Sequence, residues 1–211
     1  MSQGFTDLDD WYQAPLGSRY FLRCWQALEK LLKPAPGMQI LDAGCGAGHY
    51  SEKLAQTGAL VQGVDPNNTL IERANLRVPS GTFQVGSLED LPFSSQQFNC
   101  GICCNVLEFA TDPVQALIEL RRVCQQSVVV IVLNDRSLWQ TQQSLARPFT
   151  NHPYYAGQFF SQQRLLELAI QAQWQVKMIA PIIHFPPLPF ASWLAWAEGR
   201  FTNACWIAQL Y

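Results

Sequence analysis

Three glycines at alternate positions, Gly44, Gly46 and Gly48, follow an acid, Asp42, in the stretch ILDAGCGAGHY at residues 40–50. Glycine accepts positive φ and lets another molecule lie against bare backbone, so such a cluster after an apolar run marks a ligand-binding turn. Two ligand classes compete for it. A dinucleotide uses G-x-G-x-x-G, with its pyrophosphate on the amino terminus of the next helix. Here the sixth position is His49, and the spacing is G-x-G-x-G. Asp42 also opposes a phosphate, because two like charges about 4 Å apart repel by roughly 4 kcal/mol at an effective dielectric near 20. The same carboxylate favours a ligand with positive charge. S-adenosylmethionine fits that description. It carries an ammonium, a sulfonium and no phosphate, and its one carboxylate can use the helix terminus.

The elements that must hold this turn are legible from periodicity. Ser18 to Lys33 reads as a helix capped by Ser18, with Phe21, Leu22, Trp25, Leu28, Leu31 and Leu32 on one face. MQILDAG then reads as a short buried strand, His49–Thr57 as a helix closed by Gly58, and ALVQGVD as a second strand. A helix over Asn68–Val78 and a strand at GTFQVGS follow. FNCGICCNVL is apolar throughout and reads as a strand covered on both faces. Asp112-Pro113 starts the next helix, with an acid as cap and proline in the first turn. SVVVIVLND is a fifth strand, Ser161 caps a helix to about Gln173, WQVKMIAPIIHF is a sixth strand and CWIAQLY a seventh. Strands alternating with helices predict an α/β fold with a parallel sheet wound on both faces. Residues 134–160 lack a clear pattern, and a segment that long in a compact domain is usually functional.

Composition narrows the partners. A chain of 211 residues with 48% hydrophobic content suits one domain with a large core. A net charge of −2 without a basic stripe argues against nucleic acid. No signal-peptide pattern or long apolar run is visible, and prolines 186, 187 and 189 interrupt the aromatic stretch near the carboxyl end. A cytoplasmic protein that avoids membranes is expected. The seven cysteines, Cys24, Cys45, Cys100, Cys103, Cys104, Cys124 and Cys205, are odd in number and lack paired CxxC spacing. They are expected to be reduced core thiols, with no metal site.

ILDAGCGAGHYSEKLAQTGALVQGVDP, VGSLEDLPFSSQQFNCGICCNVLEFATDPVQALIELRRV and FFSQQRLLELAIQAQWQV occur in that order. With these stretches the chain resembles the class I S-adenosylmethionine-dependent methyltransferases, in particular small bacterial members with the methyltransferase type 11 pattern. The resemblance implies a Rossmann-like three-layer α/β/α sandwich with a mostly parallel seven-stranded sheet. It implies one methyltransferase domain over residues 1–211, an N-terminal helical lid over 1–33, and substrate-side insertions at 134–160 and 184–203. It places Gly44, Cys45, Gly46 and Gly48 along the methionine and ribose of the cofactor, with Asp42 behind them. Asp65 would take both ribose hydroxyls, a task that suits a carboxylate; its competing role is to cap the next helix. Ser87 and Leu88 stand where the family usually has Asp-Ala beside adenine, and Glu89 or Asp90 would compensate for the weaker acceptor. Asn105, Val106 and Leu107 would floor the site near the sulfonium. Tyr12 would meet the methionine end and Trp11 the substrate, unless both simply pack the first helix; Arg19 could pair with the cofactor carboxylate.

Methyl transfer is a direct displacement, in which the protein supplies alignment and a dry site, plus a base only if the nucleophile carries a proton. Candidate catalytic residues are His152, His184 and Asp135, with His49 a further candidate base. Arg136, Arg147, Tyr154 and Tyr155 are candidates for the substrate pocket. CNVLEF stands where methylation of adenine or glutamine amino groups would call for Asn-Pro-Pro-Tyr, and the cysteines are not placed for arsenic methylation. HFPPLPFASWLAWAEGRF could roof an apolar ligand or form a dimer surface. The expected activity is methylation of a small, partly apolar metabolite by a monomer or homodimer. The alternatives are a protein or nucleic-acid methyltransferase, or a non-catalytic scaffold that binds the cofactor.

Overall fold

A computed structural model describes residues 11–12, 15–135, 157–182 and 205–211. Helix α1 (Pro15–Leu32) leads into β1 (Gln39–Ala43), α2 (His49–Gln56), β2 (Leu60–Asp65), α3 (Asn68–Arg77) and β3 (Thr82–Val85). Then come β4 (Phe98–Cys104), a 3-10 turn (Leu107–Phe109), α4 (Pro113–Val123), β5 (Cys124–Leu133), α5 (Gln162–Gln171), β6 (Val176–Pro181) and β7 (Cys205–Leu210). The described strands form one seven-stranded sheet in the order β3-β2-β1-β4-β5-β7-β6. Pairings among β1 to β5 are parallel, and β7 runs antiparallel to both neighbours.

Alternation along the strands sends side chains into two cores. From β5, Val128, Val130 and Val132 join Leu117 and Leu120 of α4 and Leu165 and Leu168 of α5. Val129, Ile131 and Leu133 join Trp25 and Leu28 of α1 and Leu54 of α2 on the other face. A sheet covered on both sides explains why β5 is apolar without alternation. A fully buried leucine contributes roughly 1.5–3 kcal/mol relative to an exposed one, so these two layers dominate stability.

The helix boundaries follow local chemistry. Asp112 Oδ1 accepts the N–H groups of Val114 and Gln115, both at 3.0 Å, with Pro113 in the first turn. Ser161 caps α5 through Arg164 N–H, as expected. Ser18 does not cap α1, which starts at Pro15; proline is favoured in a first turn because its missing N–H has no partner there in any case. Strand β5 starts at Cys124, earlier than the apolar run, and the polar Gln125 and Gln126 are exposed at its start. Strand β6 is shorter than its apolar run and begins after Trp174, whose indole N–H donates to Leu117 O.

Candidate functional site

The candidate site lies at the carboxyl ends of β1, β2 and β4. Chain order reverses between β1 and β4, and this is where doubly wound sheets bind ligands. The loop after β1 is anchored inward. Gly44 and Cys45 both donate N–H to Val64 O, at 2.8 and 3.0 Å, and Gly48 N–H donates to Cys45 O at 2.9 Å. Gly46 N–H donates to Asp65 Oδ2 at 3.0 Å. Arg77 from α3 donates to Ala47 O.

The three glycines serve different needs. A Cβ on Gly44 would stand 2.3 Å from both Val106 methyl groups, so the protein itself occupies that space. A Cβ on Gly48 would stand 3.2 Å from Ala74 Cα in α3. Among the described residues, Gly46 alone of the three has no heavy atom within 4 Å of its Cβ position, at φ +51°. Open space for a ligand therefore adjoins Gly46, whereas Gly44 and Gly48 are small because helices and loops of this chain pack against them.

Two carboxylates flank the loop. Asp42 is buried and accepts Ser51 Oγ–H at 2.6 Å. Burial pushes its carboxyl up to about 7; the nearby charge of Asp65 adds to this, while the Ser51 hydrogen bond opposes it. Asp65 is raised too, mainly by burial, against the lowering effect of N–H groups from Asn67 and Gly46. Its Oδ1 accepts Asn67 N–H at 2.9 Å. Asp65 is not the cap of α3, since Asn67 fills that position by accepting Thr69 N–H at 3.0 Å. Beside β3, Leu88 is buried, and Ser87 donates its hydroxyl to Glu89. Glu89 Oε1 also accepts Thr111 N–H at 2.8 Å. Burial would raise Glu89, but these hydrogen bonds outweigh it and hold the carboxyl below its usual value.

Asn105 follows β4 in a left-handed conformation, with φ +57°. Its Oδ1 accepts Tyr20 O–H at 2.7 Å, and its Nδ2 faces Glu108 Oε1 at 3.5 Å. Glu108 Oε1 also accepts Leu133 N–H at 2.7 Å, while its buried Oε2 has no partner among the described residues. Burial raises the Glu108 carboxyl to about 7, against hydrogen bonds that lower it. Tyr20, Ser51 and Glu108 were not among the predicted site residues. The signal for Glu108 was an acid directly after an apolar strand; the other two announce themselves only through tertiary contacts.

Aromatic side chains cover the start of α2. Tyr12 meets His49 edge-on at 4.9 Å and Phe21 at 5.4 Å, while Trp11 is buried edge-on to Tyr20 at 5.1 Å. Tyr12 therefore stands at the helix terminus beside the glycine loop, and Trp11 packs on α1. Arg19 is exposed on α1. Asp135 follows β5 and has a buried Oδ1 without a partner among the described residues. His152, His184, Arg136, Arg147, Tyr154 and Tyr155 lie outside the described residues, as do most of the expected insertion at 134–160 and all of that at 184–203.

All seven cysteines are free and buried. Among the described residues, no cluster of three or more His, Cys, Asp or Glu could hold a metal, and no helix is long and apolar enough to cross a membrane. A cavity of about 640 Å³ lined by Arg121, Arg122, Cys124, Trp174 and Tyr211 opens at the opposite, amino-terminal end of β4 and β5, away from the glycine loop.

The fold is that of the class I S-adenosylmethionine-dependent methyltransferases. Residues 41–132 match the family model described as a methyltransferase domain. It is 42% identical over 65 residues to an uncharacterized methyltransferase of Synechocystis, covering 31% of each chain. It is 37% identical over 81 residues to the ubiquinone biosynthesis O-methyltransferase of Coxiella burnetii, covering 36% of this chain and 35% of that one. The chain thus spans about a third of the length of these curated relatives. A crystal structure of a SAM-dependent methyltransferase from Aquifex aeolicus superposes with TM-score 0.69 over 97% of each chain at 15% identity, a likeness of fold.

Proposed function

We propose that this protein is an S-adenosylmethionine-dependent methyltransferase acting on a small, partly apolar metabolite. One observation carries the cofactor assignment. The N–H groups of Gly44, Cys45, Gly46 and Gly48 are all committed to acceptors within the protein, and one of those acceptors is a carboxylate. A diphosphate needs such N–H groups free and repels a carboxylate among them. A cationic nucleoside without phosphate meets neither objection, and the open space beside Gly46 leaves room for it.

In this reading each oxygen of Asp65 keeps a lone pair beyond the backbone N–H it already accepts, enough for two ribose hydroxyls. Leu88 supplies apolar contact for the base, and Glu89 stands beside Ser87 as the stronger acceptor. Asn105 and Val106 floor the site, and Tyr12 closes it above the start of α2. Asp42 sits behind the loop as a fixed acidic group that favours positive charge. When bound, S-adenosylmethionine supplies an electrophilic methyl group. The protein's task is to align the acceptor behind that methyl and keep water out.

The net charge of −2 disfavours a nucleic-acid acceptor, and the Coxiella relative named for O-methylation in ubiquinone biosynthesis supports a small-molecule one. Calorimetry with S-adenosylmethionine, S-adenosylhomocysteine and NAD tests the cofactor, and a metabolite screen for labelled methyl transfer tests the acceptor class. Preferential binding of NAD would refute the assignment.

A further inference from the structure

The contacts around Asn105 reach beyond the cofactor contacts just assigned. The Asn105 amide is held at both ends. Tyr20, from α1, donates to Oδ1 at 2.7 Å, and Glu108 stands at Nδ2 at 3.5 Å. Both fixing residues are themselves held. Tyr20 Oη lies 3.0 Å from Cys205 Sγ in β7, and Glu108 takes Leu133 N–H at the end of β5 at 2.7 Å. Asn105, Tyr20 and Glu108 are all buried. A non-glycine residue at positive φ persists only where its surroundings over-determine it. The next residue, Val106, places both methyl groups over Gly44.

A leucine in place of Glu108 would leave the Leu133 N–H and the Asn105 Nδ2 without this acceptor, and an unsatisfied buried donor is costly. What the carboxyl supplies that leucine lacks is orientation, of the Asn105 amide on one side and of the β5 terminus on the other.

We propose that Tyr20 and Glu108 are positioning residues that preset Asn105 and Val106 as the floor of the cofactor site, so that the seating of α1 controls cofactor affinity. The inference rests on the methyltransferase reading. It makes α1 part of the binding apparatus through a hydrogen bond rather than through a side chain that touches the ligand. Cys205 is hydrogen-bonded to the same amide, so α1, the turn after β4 and β7 all converge on Asn105.

The test measures S-adenosylhomocysteine affinity by calorimetry and melting temperature without ligand, for the wild type, Tyr20→Phe, Asn105→Ala and the double variant. Loss of the hydroxyl weakens binding by roughly three- to tenfold, the range of one net hydrogen bond. In the Asn105→Ala background the Tyr20 substitution changes affinity no further, although it still lowers the melting temperature. Two effects that multiply would show that Tyr20 acts independently of Asn105, and would overturn the proposal. An unchanged affinity in Tyr20→Phe would overturn it as well. Glu108→Gln, which keeps an acceptor, retains affinity within about twofold, and Glu108→Leu does not. Should Glu108→Leu fail to fold, the Tyr20 cycle decides alone. If the wild type itself fails to bind S-adenosylhomocysteine, the methyltransferase reading falls first, so the two failures are distinguishable.

Discussion

Asp65 reaches from the end of β2 to the glycine loop after β1, where its Oδ2 accepts the Gly46 N–H at 3.0 Å. Its other oxygen takes Asn67 N–H at 2.9 Å and so ties the same carboxylate to the start of α3. One side chain thus joins the loop, the second strand and the helix beyond it.

Asp65→Ala removes an acceptor from two backbone N–H groups and a carboxylate from the proposed ribose position. Hydrogen bonds to charged groups contribute about 1.5–3 kcal/mol each, so affinity for S-adenosylhomocysteine should fall by roughly a hundredfold or more. Asp65→Asn keeps one oxygen and should lose less. Calorimetry on both variants measures the difference, and wild-type affinity in Asp65→Ala would remove this residue from the site.

The division of labour among the glycines makes a second expectation. In Gly44→Ala the new methyl collides with Val106 at φ +78°, and overpacking of that kind costs about 1–3 kcal/mol. Its melting temperature should fall, and Val106→Ala in the same chain should restore part of it. Gly46→Ala shares the strain of a positive φ, +51°, but meets no atom of the described residues, so it should lose less melting temperature than Gly44→Ala and show a larger share of its effect in ligand affinity. Equal losses of stability in both variants would refute the distinction.

Acid groups raised by burial set a pH dependence for the ligand-free protein. Asp42 and Glu108 stand near 7 in the fold, against reference values of 3.8 and 4.5. Between those limits the folded state holds more protons than the unfolded chain. Their stabilisation is complete below about pH 4 and is lost as pH rises through about 7. Melting temperature without ligand should therefore decline over that window, relative to Asp42→Asn and Glu108→Gln, whose curves are flatter. A steeper decline in the variants would contradict the burial of these carboxyls.

Much of the scaffold was readable because its signals are local. Asp112-Pro113 announced α4, Ser161 announced α5, and the valines of β5 announced a strand with two covered faces. Ser18 looks like a cap, yet α1 already runs from Pro15, so the serine lies inside the helix. In the candidate site, glycine spacing and Asp65 pointed to the turn after β1, where Asp65 accepts the Gly46 N–H. The spacing did not show that Val106, far along the chain, is the neighbour that Gly44 accommodates. Nor did it reveal the Tyr20–Asn105 hydrogen bond, which exists only once α1 lies across the sheet. Periodicity locates elements; contacts between elements distant in sequence leave no periodic trace.

The placement of Asp42 makes the sharpest test of the cationic-ligand argument. S-adenosylmethionine and S-adenosylhomocysteine share every group except the methyl and its positive charge, so their affinity ratio isolates the response to that charge. Unit charges about 8 Å apart attract by about 2 kcal/mol at an effective dielectric near 20. Asp42 can exert such a pull only when ionised, and in the ligand-free protein its carboxyl stands near 7. Raising the pH from about 5.5 to 8 should therefore favour the methylated ligand progressively. Below pH 7 its binding should release protons, which calorimetry in buffers of different ionisation enthalpy detects. Asp42→Asn should abolish both effects while leaving affinity for the neutral thioether less affected. A ratio that ignores pH in the wild type would mean that Asp42 does not sense the sulfonium, and that its burial serves Ser51 and the loop alone.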